Sequence, residues 1–277
     1  MSNKVITIVV DGMRYDKACE ALGYIQHLVE TNQAALYKVK SELPSLSRPL
    51  YEVLLTGTPA STNGITSNQT VRLSTEKSLF HLTKENGLRN ATASYYWVSE
   101  LYNRAPFQFI EDREQDDESK AIQYGKFYWD DDYPDSHVLM DAEALRRKYD
   151  PQFLYIHPLG VDVKGEIYGS ESKEYREQIL KMGSLLAQLL PIWISEGYHI
   201  LITSDHGMSE YGNHGGITDG ERDVPLFIIS PKVKPGVYSE VIPQLAFAPL
   251  VCKLLNIKPS DKMISYRLPG LKEEVTL

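Results

Sequence analysis

The stretch Leu201-Ile-Thr-Ser-Asp-His-Gly-Met-Ser-Glu-Tyr-Gly-Asn-His-Gly-Gly216 joins a strand pattern to a set of candidate ligands. The apolar run at residues 200–202 predicts a buried parallel strand that ends just before Asp205-His206-Gly207. Open α/β sheets hold their functional groups where strands end. Asp205 offers an oxygen, and His206 and His214 offer nitrogens, a mixture that suits Zn²⁺, Mn²⁺ or Fe²⁺ better than Ca²⁺. The alternative is a glycine-rich loop with two solvated histidines.

The composition excludes some classes of protein. A hydrophobic fraction of 42% and a charged fraction of 24% are typical of a soluble globular chain. The formal net charge of −8 argues against a nucleic acid polymer as a partner, because phosphate backbones attract basic surfaces. A small phosphorylated substrate remains compatible with this charge, because bound metal ions can reverse the local field.

Cysteine usage and hydropathy predict the compartment. The two cysteines, Cys19 and Cys252, cannot form a disulfide framework and fit a reducing environment. The first apolar run, residues 5–10, is too short for a signal peptide, and no stretch is long enough to cross a bilayer. We therefore expect a cytoplasmic protein without a membrane partner, and the oligomeric state is left open.

Strands alternate with helices along the chain. Apolar runs predict strands at residues 5–10, 35–40, 91–98, 153–156, 200–202 and 224–229. Helical spacing predicts helices at residues 15–31, 51–55, 80–86, 138–148, 174–190 and 245–255, with a kink or restart at Pro191. This order predicts an α/β fold whose mainly parallel sheet is sandwiched between helices, in a single domain over residues 1–277. Residues 103–136 have no clear period and predict a small cap inserted in that domain.

Several strand ends carry acid or histidine groups in a fixed order. Asp11 follows the first strand, a Ser/Thr loop comes next, then Asp162 with Gly165, and finally the 205–216 motif. This order resembles the alkaline phosphatase superfamily, and most closely its type I phosphodiesterase and nucleotide pyrophosphatase group. The same motifs also resemble the catalytic domain of the ethanolamine-phosphate transferases of glycolipid-anchor synthesis. The matching motifs run from residue 5 to about residue 255.

The resemblance implies two divalent metal ions, with Zn²⁺ or Mn²⁺ favoured and Mg²⁺ as a third choice. The ligands that it implies are Asp11, Asp205, His206 and Ser47 for one ion, and Asp162, Glu166 and His214 for the other. It also implies that Ser47 is the nucleophile, since Ser47 has the family's register relative to Thr56-Gly57; Ser45 is the alternative.

Two positions depart from the family pattern. Glu166 stands where the family usually has histidine, which shifts metal preference from Zn²⁺ toward Mn²⁺ or Mg²⁺, and His157 is a conceivable substitute ligand. Leu50 stands where the phosphodiesterase group has an asparagine that holds a phosphoryl oxygen. We expect Arg48 to supply that contact, because a guanidinium binds phosphate in a fork. Asn68 is a weaker candidate.

The resemblance implies a hydrolase of phosphodiester or pyrophosphate bonds that forms a phospho-serine intermediate. A phosphomonoesterase remains an alternative, because Arg48 and Lys164 could bind the second negative charge of a monoester. A phosphonate hydrolase is also open, whereas a transferase is less expected because the resembling transferases are membrane-embedded. The alternative of another class is a non-catalytic module that binds metal or phosphate.

Overall fold

A computed structural model describes residues 3–272, and the strands in this part of the chain form one nine-stranded sheet. The strands in chain order are β1 (Lys4–Val9), β2 (Ala35–Lys40), β3 (Asn90–Tyr95), β4 (Glu114–Asp116), β5 (Tyr124–Tyr128), β6 (Phe153–Ile156), β7 (Tyr198–Thr203), β8 (Asp223–Ile229) and β9 (Gly236–Pro243). Across the sheet their order is β4-β5-β3-β6-β1-β7-β8-β2-β9.

Helices cover both faces of the sheet. They are α1 (Tyr15–Ala21), α2 (Gly23–Glu30), α3 (Ser47–Thr56), α4 (Ala60–Asn63), α5 (Leu79–Glu85), α6 (Trp97–Tyr102), α7 (Phe109–Asp112), α8 (Asp135–Tyr149), α9 (Gly160–Tyr168), α10 (Lys173–Ser195), α11 (Asp219–Arg222) and α12 (Phe247–Leu255), and a 3-10 turn (Gln244–Ala246) precedes α12. Side chains of α1, α2, α8 and α10 pack in the core on one face, and those of α3, α5, α6 and α12 pack in the core on the other.

The central strand β1 contributes to both cores. Ile6 and Ile8 face one core, and Val5 and Val9 face the other, because successive side chains of a strand point to opposite sides. Each of these four side chains is fully buried. A strand covered on both faces favours apolar residues, and residues 5–10 are apolar except for Thr7, which is also buried and donates its hydroxyl hydrogen to the Leu154 carbonyl oxygen at 3.5 Å.

The predicted α/β fold with a mainly parallel sheet is confirmed, but strand direction varies. Strand β1 pairs in parallel with both β6 and β7, whereas β8 is antiparallel to β7 and to β2. The predicted parallel strand at residues 200–202 therefore has one parallel and one antiparallel neighbour. Strand β9, which the sequence analysis did not predict, pairs with β2 at the edge of the sheet.

Most predicted elements differ from the structure by a few residues at their ends; α3, for example, begins at Ser47 and not at Tyr51. Three predictions show larger differences. The single helix predicted at residues 15–31 is two helices, α1 and α2, because Leu22 leaves the helical conformation with ψ of 60°. The strand predicted at residues 91–98 ends at Tyr95, and α6 begins at Trp97. Pro191 lies inside α10, which continues to Ser195.

The segment predicted as a cap, residues 103–136, belongs in part to the sheet itself. Strand β5 pairs in parallel with β3, and β4 pairs antiparallel with β5, so both extend one edge of the sheet. The remainder of the segment consists of α7 and the loops around these strands. Strand β4 has three mainly exposed residues and β5 has five mainly buried residues, so neither is long enough to give a regular sequence period.

Among the described residues, no helix combines the length and the apolar composition needed to span a bilayer.

Candidate active site

The site forms where three neighbouring parallel strands end. Val9 of β1 pairs with Thr203 of β7, so Asp11 and Asp205 each follow a paired residue by two positions. The backbone N–H of Gly12 donates to Asp205 Oδ1 at 3.2 Å and fixes the two turns against each other. Strand β6 pairs with β1 on its other side and leads into α9, which carries Asp162. The sheet therefore brings three aspartates from distant parts of the chain to one edge.

Gly12 allows Asp162 to approach this edge. Gly12 has φ of +69°, a conformation that favours glycine, and a Cβ at this position would lie 2.6 Å from Asp162 Oδ1. Any side chain at residue 12 would therefore both strain the turn and displace a candidate ligand.

Asp11, Asp205 and His206 form the first group of candidate ligands, and all three are fully buried. His206 Nδ1 lies 2.8 Å from the carbonyl oxygen of Gly207, so Nδ1 carries the ring proton. Burial, and then the charge of His214, lower the pKa of His206 well below its usual value, so the ring is neutral. Its Nε2 lone pair faces Asp11 Oδ1 at 3.3 Å and Asp205 Oδ2 at 3.4 Å.

Asp162 and His214 form a second group with His206, and Glu166 lies beside His214. Asp162 and Glu166 are four residues apart on α9 and so lie on the same face of that helix. His214 Nδ1 is 3.1 Å from the Ser45 carbonyl oxygen, and Nε2 is 3.2 Å from Glu166 Oε1 and 4.0 Å from Asp162 Oδ1. Burial lowers the pKa of His214, but hydrogen bonding to Glu166 and the charge of Asp162 outweigh it and raise the pKa to about 10. These carboxylates stabilise positive charge.

Both groups fit divalent cations. Three buried carboxylate oxygens, Asp11 Oδ1, Asp162 Oδ1 and Asp205 Oδ2, have no hydrogen-bond partner among residues 3–272. Unpaired carboxylate oxygens in an interior are costly unless a cation or a proton compensates them. Burial, and then the charge of Asp205, raise the pKa of Asp11 well above its usual value. Carboxylate oxygens that converge with a neutral imidazole nitrogen are the donor set of a zinc or manganese site.

Ser47 is the first residue of α3, and its Oγ lies 3.1 Å from His206 Nε2. The positive end of a helix dipole stabilises negative charge at this position. Ser45, the alternative nucleophile, instead donates its hydroxyl hydrogen to the carbonyl oxygen of Gly216 at 2.7 Å. The structure therefore brings Ser47, and not the Ser45 hydroxyl, to the ligand cluster.

The three predicted substrate-binding residues, Arg48, Asn68 and Lys164, each contact other parts of the protein. Arg48 is 1% exposed, its guanidinium lies 2.8 Å from Glu100 Oε2, and it stacks over the ring of Trp97. Its charge is thus already neutralised, contrary to the expected free phosphate fork. Asn68 accepts the backbone N–H of Arg48 at 3.0 Å. Lys164 lies over the ring of Tyr168, two residues from Asp162 and so on a different side of α9.

Two residues at the site were missed or misjudged. Tyr51 donates a short hydrogen bond to Asp11 Oδ2, although the sequence analysis assigned no function to it. Its position four residues after Ser47 on one helix was the available signal. His157 was considered as a substitute for the family histidine that Glu166 replaces. Its Nε2 lies 3.1 Å from Asp11 Oδ2, so it contacts the first ligand group and not the group beside Glu166.

Comparison with solved structures matches this fold. The chain superposes on murine ectonucleotide pyrophosphatase/phosphodiesterase 5 with a TM-score of 0.73 at 12% identity, covering 92% of this chain and 96% of that one. At this level of identity the match demonstrates a shared fold, which is alkaline phosphatase-like.

Comparison with curated sequences finds longer proteins. The chain is 25% identical over 247 residues to human GPI ethanolamine phosphate transferase 2, catalytic subunit, covering 84% of this chain and 24% of that protein. It is 26% identical over 275 residues to GPI ethanolamine phosphate transferase 2 of Candida albicans, covering 92% of this chain and 30% of that protein. The chain thus spans less than a third of the length of either relative.

The sequence model of type I phosphodiesterase / nucleotide pyrophosphatase matches residues 5–222, a span that contains every candidate metal ligand named above. This match confirms the resemblance predicted from the motifs. The chain belongs to the type I phosphodiesterase / nucleotide pyrophosphatase family.

Proposed function

We propose that this chain cleaves phosphodiester or pyrophosphate bonds of a small substrate, with Ser47 as the nucleophile. The observation that carries the proposal is the set of three unpaired, buried carboxylate oxygens of Asp11, Asp162 and Asp205 beside the Ser47 hydroxyl. Asp11, Asp205 and His206 would hold one divalent cation. Asp162 and His214, which also converge with His206, would hold the other together with Glu166, which contacts His214. If these aspartates only stabilised the fold, we would expect their oxygens to accept hydrogen bonds from neighbouring groups.

Phosphoryl transfer needs a nucleophile and groups that stabilise negative charge, and this chain offers both. Two divalent cations, when bound, neutralise charge on the phosphoryl oxygens and activate oxygen nucleophiles. Ser47 Oγ forms a bond to phosphorus while the bond from phosphorus to the leaving oxygen breaks, and the amino terminus of α3 stabilises negative charge on the serine oxygen. The leaving oxygen takes up the proton that the Ser47 hydroxyl gives up, so an alcohol or a phosphate departs and a phospho-serine remains. Water or an alcohol then attacks phosphorus, the bond between Ser47 Oγ and phosphorus breaks, and the serine hydroxyl is restored. When the substrate is a diester, the phospho-serine intermediate retains one ester group.

The charge available near Ser47 favours a diester or pyrophosphate over a monoester. A monoester carries about two negative charges at the reacting phosphorus, and a diester carries one. Arg48 and Lys164 are the candidates for binding the additional charge, but the Arg48 guanidinium is paired with Glu100 and Lys164 lies over the ring of Tyr168. Binding a monoester through Arg48 would require breaking a buried ion pair, which is costly.

Transfer to an alcohol is a second candidate function. It is favoured by the two curated relatives, both named as GPI ethanolamine phosphate transferases and matched over most of this chain. Hydrolysis and transfer share the Ser47 step and differ only in whether water or an alcohol accepts the phosphoryl group. The acceptor is therefore a separate question from the nucleophile.

The nucleophile assignment is tested by substitution. With bis-nitrophenyl phosphate and Mn²⁺ or Zn²⁺, Ser47→Ala should lower turnover by roughly 10³-fold or more, while Ser45→Ala should retain the activity because its hydroxyl only holds Gly216. A Ser47→Ala protein that contains metal and turns over at the wild-type rate would contradict the proposal. So would a wild-type protein that binds metal but acts on no phosphate ester, which would favour the non-catalytic module.

The substrate class and the acceptor are tested together. Rates on nitrophenyl phosphate, bis-nitrophenyl phosphate and nitrophenyl phenylphosphonate distinguish monoesterase, diesterase and phosphonate hydrolase. We expect the diester to be the best of the three. Adding an alcohol such as ethanolamine to the diester reaction and identifying the products by mass spectrometry then separates hydrolysis from transfer.

A further inference from the structure

The carboxylate of Asp11 has two chemically different oxygens. Oδ2 accepts a hydrogen bond from Tyr51 Oη and lies 3.1 Å from His157 Nε2, whereas Oδ1 has no hydrogen-bond partner in the part of the chain that the structure describes. Two donors on one oxygen fix the rotation of the carboxylate group. The free oxygen, Oδ1, then faces His206 Nε2 at 3.3 Å, on the side of the candidate cation site.

Tyr51 connects Asp11 to the helix of the nucleophile. Ser47 and Tyr51 are four residues apart on α3, so their hydroxyls lie on one face of that helix. Ser47 Oγ contacts His206, and Tyr51 Oη contacts Asp11. The bond from Tyr51 therefore links the orientation of Asp11 to the helix that carries Ser47.

His157 is itself fixed by its surroundings. Its backbone N–H donates to the Ala93 carbonyl at 3.0 Å, and its own carbonyl accepts the Tyr128 hydroxyl at 2.7 Å. Its ring packs edge-on against the Tyr51 ring, with centroids 4.5 Å apart. The two donors to Asp11 thus support each other and have little freedom to turn away.

We propose that Tyr51 and His157 are positioning residues that hold Asp11 with one oxygen committed to hydrogen bonds and the other presented to a divalent cation. The inference rests on the proposed function, because it assigns these residues to the cation site used there. Neither residue touches the reacting atoms. Partners of this kind orient ligands and raise cation affinity, and their loss typically weakens binding by about 10- to 100-fold.

The test is the binding of Mn²⁺ alone, measured by titration calorimetry on protein freed of metal with a chelator. Wild-type protein should bind two ions. Tyr51→Phe keeps the ring against His157 and removes only the hydroxyl, so one of the two affinities should fall by about 10- to 100-fold while the other stays unchanged. The matched control is Tyr155→Phe, since the Tyr155 hydroxyl is also buried near His157 but has no hydrogen-bond partner. This control should leave both affinities unchanged.

A second pair of variants covers the case in which Tyr51→Phe does not fold. His157→Phe removes the donor and should weaken one Mn²⁺ affinity, and His157→Gln, which can present a side-chain N–H, should restore part of it. Wild-type affinities in Tyr51→Phe, equal losses in Tyr51→Phe and Tyr155→Phe, or no Mn²⁺ binding by the wild type would each overturn the inference. A wild type that binds two Mn²⁺ ions but cleaves no phosphate ester would refute the proposed function and leave this inference standing.

Discussion

Glu166 is the proposed ligand that distinguishes the second cation site from the family pattern. In place of a neutral nitrogen it offers a carboxylate, whose Oε1 lies 3.2 Å from His214 Nε2. Asp162 and His214 converge with His206, and Glu166 would add a second carboxylate to this group, which shifts its preference toward Mn²⁺ or Mg²⁺.

We predict that Glu166→His shifts the metal preference toward Zn²⁺, because a second imidazole replaces a hard oxygen. Competition between Zn²⁺ and Mn²⁺, followed by metal analysis of the protein, measures this. Glu177→His, on the exposed face of α10 beside Lys173, controls for the added surface histidine and should not change the ratio. An unchanged ratio in Glu166→His would mean that Glu166 is not a ligand.

Gly12 has a left-handed backbone conformation and lies directly against Asp162. We predict that Gly12→Ala greatly reduces both Mn²⁺ binding and turnover, because its Cβ would lie 2.6 Å from Asp162 Oδ1. Gly87→Ala is a matched control: Gly87 also has φ of +69°, but a Cβ there meets no atom within 4 Å.

Both variants should share the cost of a left-handed alanine, about 1 kcal/mol of stability. Only Gly12→Ala should lose metal, as measured by calorimetry beside thermal unfolding. Equal metal binding by the two variants would contradict the assignment of Asp162 as a ligand held against this turn.

At the scale of elements, α8 and α10 are joined by Glu143. Its carboxylate accepts hydrogen bonds from Arg146 at 2.7 Å and from the Trp193 indole at 2.9 Å. Burial raises the pKa of Glu143, but the bonds from Arg146, Trp193 and Arg147 outweigh it and lower the pKa to about 2. A carboxyl group whose pKa falls on folding stabilises the fold above its unfolded pKa of about 4.3, and this stabilisation disappears as pH falls toward 2.

We therefore predict that Glu143→Gln lowers the free energy of unfolding by about 2 kcal/mol at neutral pH, because the buried donors of Arg146 and Trp193 lose a charged acceptor. The difference from wild type should shrink between about pH 4.5 and pH 2. Urea unfolding across this range measures it. Glu177→Gln, which removes an exposed pair with Lys173, should have little effect at any pH. A difference that stays constant with pH would contradict this account of Glu143.

Some elements were predictable for physical reasons and others were not. Strands β1 and β6 show apolar runs because both of their faces are covered. Since the two strands are parallel neighbours, Asp11 and the start of α9 lie together at their carboxyl ends. Strand direction is not encoded in such runs. The link from β7 to β8 contains only one short helix, α11, instead of a long crossover helix, and this explains their antiparallel pairing.

Across the whole molecule, the candidate ligands could be predicted because each follows a strand or belongs to an ordered motif. The surroundings of these ligands could not. Arg48 sits next to Ser47 in sequence, but Glu100 and Trp97, which neutralise and cover it, come from α6, and no local pattern reveals such a partner. The same holds for His157, whose contact with Asp11 depends on the pairing of β6 with β1.

The central claim, that Ser47 forms a covalent bond to phosphorus beside the two ligand groups, is tested most directly by trapping the intermediate. Protein loaded with Mn²⁺ is mixed with bis-nitrophenyl phosphate, quenched in acid within its first turnover and digested for mass spectrometry. We predict a nitrophenyl-phosphoryl group on the peptide that contains Ser47, absent when Ser47→Ala is treated in the same way. Active protein whose modification lies on another residue, or that releases product with no modified peptide at any time of quenching, would contradict the account.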